Sequence, residues 1–249
     1  MVNIIIIAWV SLFFAGYVFF DGLAALSRMA AAKASLNAFG AAIEKIMNTI
    51  KRLSIFSFPP AIGYFVMRQD ASSLFLAVFG SLFLGASAAM FIFLRRIAIQ
   101  RYFFLVALNF DSGQGIFRAF ISACRGSQSG QKVQSPPNVT VSLPEAMRHN
   151  LQLFLLASWV YLVFGSSIFL VNILAMVFFE AAPVILQTLG FFNGLGTLVL
   201  AFFVDPRIAR FLDKKEKLEE LTLVVIAAQG ISVGLYSPFL FGAVFLVFF

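Results

Sequence analysis

Apolar residues in this chain fall into long unbroken runs separated by short polar breaks, and the lengths of the runs decide its class. A helix that crosses a hydrocarbon layer roughly 30 Å thick needs about 20 mostly apolar residues. Residues 3–20, 72–94, 151–179, 183–204 and 221–249 approach or exceed that length. Between the first two lies a different pattern. At 100° per residue, Lys33, Asn37, Glu44, Lys45, Asn48, Lys51 and Arg52 fall within roughly a 120° sector, and Leu36, Phe39, Ile43, Ile46, Met47, Ile50 and Leu53 lie opposite. Pro59 and Pro60 then break or kink that helix. Residues 29–66 therefore form a sixth element, in or across the membrane. A further apolar run, 102–123, is interrupted by Asn109, Asp111, Gly113 and Gly115, so it predicts a re-entrant or interfacial segment.

The expected fold is an all-α membrane protein, a polytopic bundle of about six transmembrane helices forming a single integral membrane domain over residues 1–249. Residues 126–145, rich in Ser, Gln, Gly and Pro, form a polar loop that divides it into an N-terminal half, 1–125, and a C-terminal half, 146–249. Composition agrees: 61% of residues are hydrophobic, only 12% are charged and 33 are Phe, more apolar surface than a soluble core could hide. The first run has no basic residues before it and no small-residue cleavage pattern after it, which predicts a retained span, not a signal peptide. FFDGLAAL at 19–26 echoes FFNGLGTL at 191–198, a faint sign of duplicated halves.

A net charge of +7 would suit nucleic acid in a soluble protein, but in a membrane protein basic residues report topology. Arg95, Arg96, Arg101, Arg118, Arg125, Lys132 and Arg148 lie between the third and fourth elements, and Arg207, Arg210, Lys214, Lys215 and Lys217 follow the fifth. Both segments are expected in the cytoplasm, with both termini outside. Arg68, offset by Asp70, and the Glu180 turn suit the opposite face. On a cytoplasmic loop the Asn138 sequon is a chance match.

Little here supports an enzyme. The one His, His149, excludes two-His metal motifs and is expected at a membrane edge beside Arg148. Cys124 excludes an internal disulfide and is expected to be a small buried apolar side chain. The string Asp21-Gly22-Leu23-Ala24-Ala25 resembles the start of the CDP-alcohol phosphotransferase motif, but the further Asp residues that hold that family's metals do not follow. No cofactor or metal is expected. Glu180 and Asp205 mark helix ends, with Asp205-Pro206 a helix stop and restart, and residues 213–220 form a solvated helical turn of mixed charge.

The polar stripe has two readings. In one it is the wet face of an amphipathic helix at the interface, its Lys residues drawn to anionic headgroups. In the other it lines a water-filled cavity, since each charge at membrane depth costs roughly 2.5 to 3.5 kcal/mol and persists where it faces a pathway. An excess of cations over Glu44, with Arg28 extending it and Arg52 supplying a forked donor, would suit an anion such as phosphate or carboxylate.

Two stretches, Asp21-Gly-Leu-Ala through Arg28 to Arg52 and Pro60, and Phe191 to Pro206, together resemble the Amj family of bacterial lipid II flippases. The resemblance covers about a third of the chain. It implies a multi-pass protein of the bacterial cytoplasmic membrane that flips an undecaprenyl-linked cell-wall precursor, lipid II, with membrane lipids and the lipid-linked pyrophosphate saccharide as its partners. It makes Arg28 and Arg52 contacts for the pyrophosphate, and Asn193, Gly194, Asp205 and Pro206 structural or gating positions. The wider stripe, Lys33, Glu44, Lys45, Asn48 and Lys51, would complete the substrate site, with Pro60 as a hinge. That family has two acidic residues soon after its Asp-Pro, where this chain has Asp213 followed by Lys214 and Lys215. A small organic-anion transporter and a non-catalytic membrane scaffold are the alternatives.

Overall fold

A computed structural model describes residues 2–125, 142–214 and 217–249, without the side chains of 211–214. Most of the expected polar loop, including the Asn138 sequon and Lys132, therefore lies outside the described residues, as do the side chains of Asp213 and Lys214 and the whole of Lys215. The elements are α1 (Val2–Lys33), α2 (Asn37–Ser57), α3 (Pro59–Met67), α4 (Ala71–Asp111), α5 (Ile116–Cys124), α6 (Leu143–His149), α7 (Leu151–Val177), α8 (Ala182–Val199), α9 (Asp205–Lys214), α10 (Leu218–Ile231) and α11 (Ser237–Phe248). π-helical turns at Leu200–Val204 and Ser232–Tyr236 join α8 to α9 and α10 to α11. Five stretches, Val2–Lys33, Ala71–Asp111, Leu151–Val177, Phe179–Arg210 and Leu218–Phe248, are long and apolar enough to cross a membrane. The chain is an all-α bundle with the character of a multi-pass membrane protein.

The first of these helices organises the rest. α1 and α4 run parallel, with Asn3 bonded to Ser73, Ser11 to Ser81 and Met29 to Gln100, a nearly constant offset along both helices. They lie close because small residues meet: a Cβ added at Gly85 would fall 2.7 Å from the Phe14 ring, and one at Gly80 would fall 2.9 Å from the Ser11 hydroxyl. Without a hydrophobic force between helices in lipid, such small-residue contacts are what let two backbones approach. α2 returns antiparallel along the other flank of α1. Its Gly40 meets Ala31, its Glu44 meets Arg28, its Lys51 meets Asp21 and its Ser54 meets Gly16. Trp9 donates to the Ser57 carbonyl at 3.0 Å.

The second element thus follows α1 for almost its whole length, too polar to qualify as a span by composition yet traversing the same depth. The hairpin that makes this possible turns at Ala34–Leu36, with Ser35 at φ 63°. The expected boundary at residue 29 falls inside α1. Similarly, Arg95 and Arg96 do not end the third element. α4 continues for 41 residues, about 60 Å at 1.5 Å per residue, and α5 folds back on its far end, where Tyr102 donates to the Phe120 carbonyl at 3.2 Å. Residues 102–124 form a helical hairpin, with Phe117 and Arg118 exposed. Cys124 is exposed, contrary to expectation, because it sits on the last turn of α5 beyond the packed face.

The second half repeats this plan upside down. α7 and the α10–α11 helix run parallel, held by Asn150–Glu220, Ser158–Ser232 and Ser166–Ser237 contacts, while α8–α9 returns between them along α7. Each half is therefore a parallel pair plus an antiparallel returning helix. The halves start at opposite ends: Asn3 and Asp70 share one end with Met176, which accepts from Gln69, and Lys33 shares the other with Glu219. Inverted three-helix units are a common transporter plan. The FFDGLAAL and FFNGLGTL echo does not carry it, because those strings fall on α1 and α8, which are not counterparts.

Charge divides the two ends. Arg101, Arg118, Arg125, Arg148 and Arg210 are exposed at the end that holds the α1–α2 turn, and Arg68 stacks on Tyr64 at the other. At that second end Asp70 caps α4, accepting from the Ser73 amide at 3.0 Å and from Asn3 at 2.9 Å. The Ser73 hydroxyl and amide, helped by Asn3, hold the Asp70 carboxyl below the usual carboxylate value. A depressed folded-state pKa stabilises above the unfolded value and stops doing so as pH falls through the folded one. Asp70→Ala should lower stability by about 1 kcal/mol, the usual value of an N-cap, at neutral pH and by less in acid, as read by thermal unfolding in detergent. Cysteines introduced at positions 180 and 118 in a Cys124→Ser background should react with an impermeant maleimide from opposite faces of sealed membranes. Labelling of both from one face would overturn the six-pass path.

Candidate functional site

The polar stripe does not act as one surface. α2 turns Glu44, Asn48 and Lys51 toward α1 and leaves Lys45 and Arg52 exposed on its outer side, as is Asn37. Lys33 faces neither, because it ends α1 and pairs with Glu219 of α10. Pro60 is exposed in the first turn of α3, where its missing N–H costs nothing.

Glu44, Asn48 and Lys51 line a cavity of about 240 Å³ together with Tyr17, Asp21 and Arg28 of α1, Tyr161 of α7, Asp205 at the start of α9 and Thr222 of α10. At roughly 30 Å³ per molecule this is room for about eight waters. Asn193 and Gly194 do not line it. Asn193 is half-buried on α8, its carbonyl accepting from Thr197, and Gly194 is exposed with nothing near its missing Cβ.

The charges inside are arranged as pairs. Arg28 reaches Glu44 through two nitrogens, Nε and Nη1, each 3.4 Å from a carboxylate oxygen. Lys51 pairs with Asp21 and sits 5.7 Å from the centre of the Tyr17 ring. The other oxygen of Asp21 accepts from Gln229 at 3.1 Å, the same amide that donates to the Val18 carbonyl. Asp205 is different. Among the described residues it makes no ion pair or hydrogen bond, although Arg28 and Lys51 are near enough to act on it electrostatically. Three carboxylates against two cations give the lining one net negative charge, so the cationic excess of the stripe does not carry into the cavity.

The site is closed toward the Asn3 end. One turn above Tyr17, Phe14 packs on Phe169 at 5.2 Å and on Phe58 at 6.1 Å, and Phe169 meets Phe241 at 6.0 Å. All four rings are almost completely buried. On its flank the cavity lies between α2 and residues 200–208, and among the described residues those two walls pack little, if at all, on each other. The wall around 200–208 owes its shape to Pro206. Proline lacks the N–H that would bond to the Phe202 carbonyl and its ring crowds that carbonyl. The turn widens instead, and the Asp205 amide reaches back to Leu200. Asp205-Pro206 therefore follows a π turn within a continuing helix and is not the expected stop and restart.

Several lining residues escaped the reading of the sequence. Asp21, and Gln229 that bonds to it from behind the lining, were visible as single polar residues inside apolar helices, the pattern that marks a buried polar contact at membrane depth. Tyr17, Tyr161 and Thr222 gave no signal among so many aromatic and apolar neighbours. Among the described residues no cluster of His, Cys, Asp and Glu is placed to hold a metal ion. Compared with protein-family models, curated proteins and solved structures, the chain matches none.

Breaking one partner of a half-buried pair leaves an uncompensated charge, and a fully buried one costs 3–5 kcal/mol. Lys51→Ala should therefore destabilise the protein by about 2–3 kcal/mol, given the hydrated surroundings. The double variant Asp21→Asn, Lys51→Ala should recover part of that loss. Additive losses in detergent unfolding would contradict the pairing.

Proposed function

We propose that this protein moves the polar head of a membrane lipid across the bilayer, and that the lipid is an undecaprenyl-linked pyrophosphate saccharide such as lipid II in the bacterial cytoplasmic membrane. The observation that carries the reading is the position of the charged cavity between two helices that pack little, if at all, on each other. A headgroup can enter such a gap sideways while its chain stays in lipid. The outer surface of α8 and the π turn, with Phe191, Leu198, Phe202 and Phe203 exposed, suits contact with acyl chains.

A flippase must lower the cost of carrying a pyrophosphate through hydrocarbon. Arg28 presents a fork of two nitrogens to Glu44, and that fork matches phosphate as well as carboxylate. A phosphate oxygen that takes the place of Glu44 on Arg28 displaces that carboxylate, which then needs water or a proton in its stead. The cavity accommodates a pyrophosphate, whereas a disaccharide bearing a peptide would extend out through the gap. The Phe14, Phe58, Phe169 and Phe241 cluster closes the cavity toward the Asn3 end, and the inverted halves offer alternating access by rocking of one unit on the other. The cavity volume also suits a small organic anion held entirely inside, which is the second reading.

Arg28 and Lys51 are the cations expected to meet the substrate, and the exposed Arg52 is not. In proteoliposomes with fluorescent lipid II, Arg28→Ala should reduce flipping at least tenfold, and Arg52→Ala should leave it within twofold of the unsubstituted protein. No flipping above empty liposomes by well-folded protein, across a range of membrane potentials, would sink the lipid reading in favour of the small-anion one. Loss with Arg52→Ala alone would move the site to the outer face of α2.

A further inference from the structure

Asp205 is the charge in the cavity that makes no ion pair or hydrogen bond among the described residues. Facing it across the space are Tyr17, Asp21 and Arg28 from α1, Glu44 and Lys51 from α2, and Tyr161 from α7, while α10 contributes the neutral Thr222. Arg28 and Lys51 are committed to Glu44 and Asp21. Arg207, two residues along, turns away and donates to Gln152 at 2.8 Å. Asp205 is exposed along the open flank of the cavity, and unpaired carboxylates at membrane depth mark ion paths and proton relays.

We infer that Asp205 is a proton-binding site of the transport cycle, taking up one proton as an anionic headgroup enters the cavity and giving it up when the headgroup leaves. Uptake converts the Asp205 carboxylate to the neutral acid, and the lining passes from one net negative charge to none. A proton suits the place better than a metal cation. Thr222 uses its hydroxyl on the Leu218 carbonyl and Asp21 is fully engaged, so few oxygens remain to coordinate an ion beside Asp205. The π turn supports the role geometrically. It directs Asp205 into the cavity at the junction of α8 and α9, the helix on which the cavity wall is least supported by neighbours.

The cargo in this inference rests on the flippase reading, and the proton site itself does not. The first test is therefore independent of cargo: infrared titration of the purified protein in nanodiscs, following the carboxylic-acid C=O stretch. A band that titrates in the unsubstituted protein, disappears in Asp205→Asn and persists in both Asp205→Glu and Asp21→Asn is the expected result. Retention of the band in Asp205→Asn overturns the assignment. A titration that shifts when sodium replaces choline at constant ionic strength overturns the proton in favour of a metal cation. In the second arm, an imposed pH gradient across lipid II proteoliposomes should change the flipping rate at least threefold with the unsubstituted protein and not with Asp205→Asn. An unchanged infrared result with no flipping would remove the lipid cargo and leave the proton site standing, whereas flipping that ignores the gradient would remove the coupling.

Discussion

A bilayer gives a charged side chain only two comfortable outcomes, a partner or water, and the pairing of Asp21 with Lys51 supplies the first for an otherwise uninsertable helix. α2 carries Glu44, Lys45, Lys51 and Arg52 within three turns. It can lie along α1 because Asp21 and Arg28, one on each side of Ala24, match the charges that α2 brings, and because Gly40 lets the backbones approach at the turn. The same pairing holds α2 against α1 along one side of the cavity. What would elsewhere be a structural ion pair therefore also defines the polar space that the rest of the bundle surrounds.

The rest of the architecture adds closure on one side and openness on another. The aromatic cluster around Phe14 and Phe169 joins α1, α3, α7 and α11 across the two halves. The polar cavity begins one turn below it, at Tyr17. α8 rests chiefly on α7 and α9 on α10, and their outer faces are bare. A bundle packed this unevenly has a natural line of division, and the cavity lies on it.

Helical class, the positions of the apolar runs and the amphipathic second element were legible in the sequence, because length and periodicity respond directly to hydrocarbon thickness and to 3.6 residues per turn. Arg28, Glu44, Asn48, Lys51 and Asp205, named from the stripe and the resemblance, do come together around one cavity. The helical wheel could not divide the stripe. Lys45 and Arg52 are only one step from Glu44 and Lys51, and which neighbour covers which side is a tertiary fact. The sign of the cavity was similarly hidden, since Asp21 and Asp205 arrive from helices far away in the chain. Arg95 and Arg96 misled for a different reason: charge marks where lipid ends, and a helix stabilised by its own backbone bonds and by α5 continues past that level. The inverted halves left no trace in matching strings, because packing of small residues can be preserved by many sequences.

The widened turn at Leu200–Val204 has a consequence for how such a helix can change over time. A π turn accommodates one residue more than an α turn in the same rise, so it behaves as the footprint of a single inserted residue. Everything after it is rotated by about 100° relative to an uninterrupted α-helix. The direction of Asp205, and with it the sign of the cavity, is thus governed by one codon's worth of backbone several residues upstream. A lineage that lost that codon would keep every lining side chain and still turn this carboxylate away from the others, so residue identity alone would not tell whether the site survives.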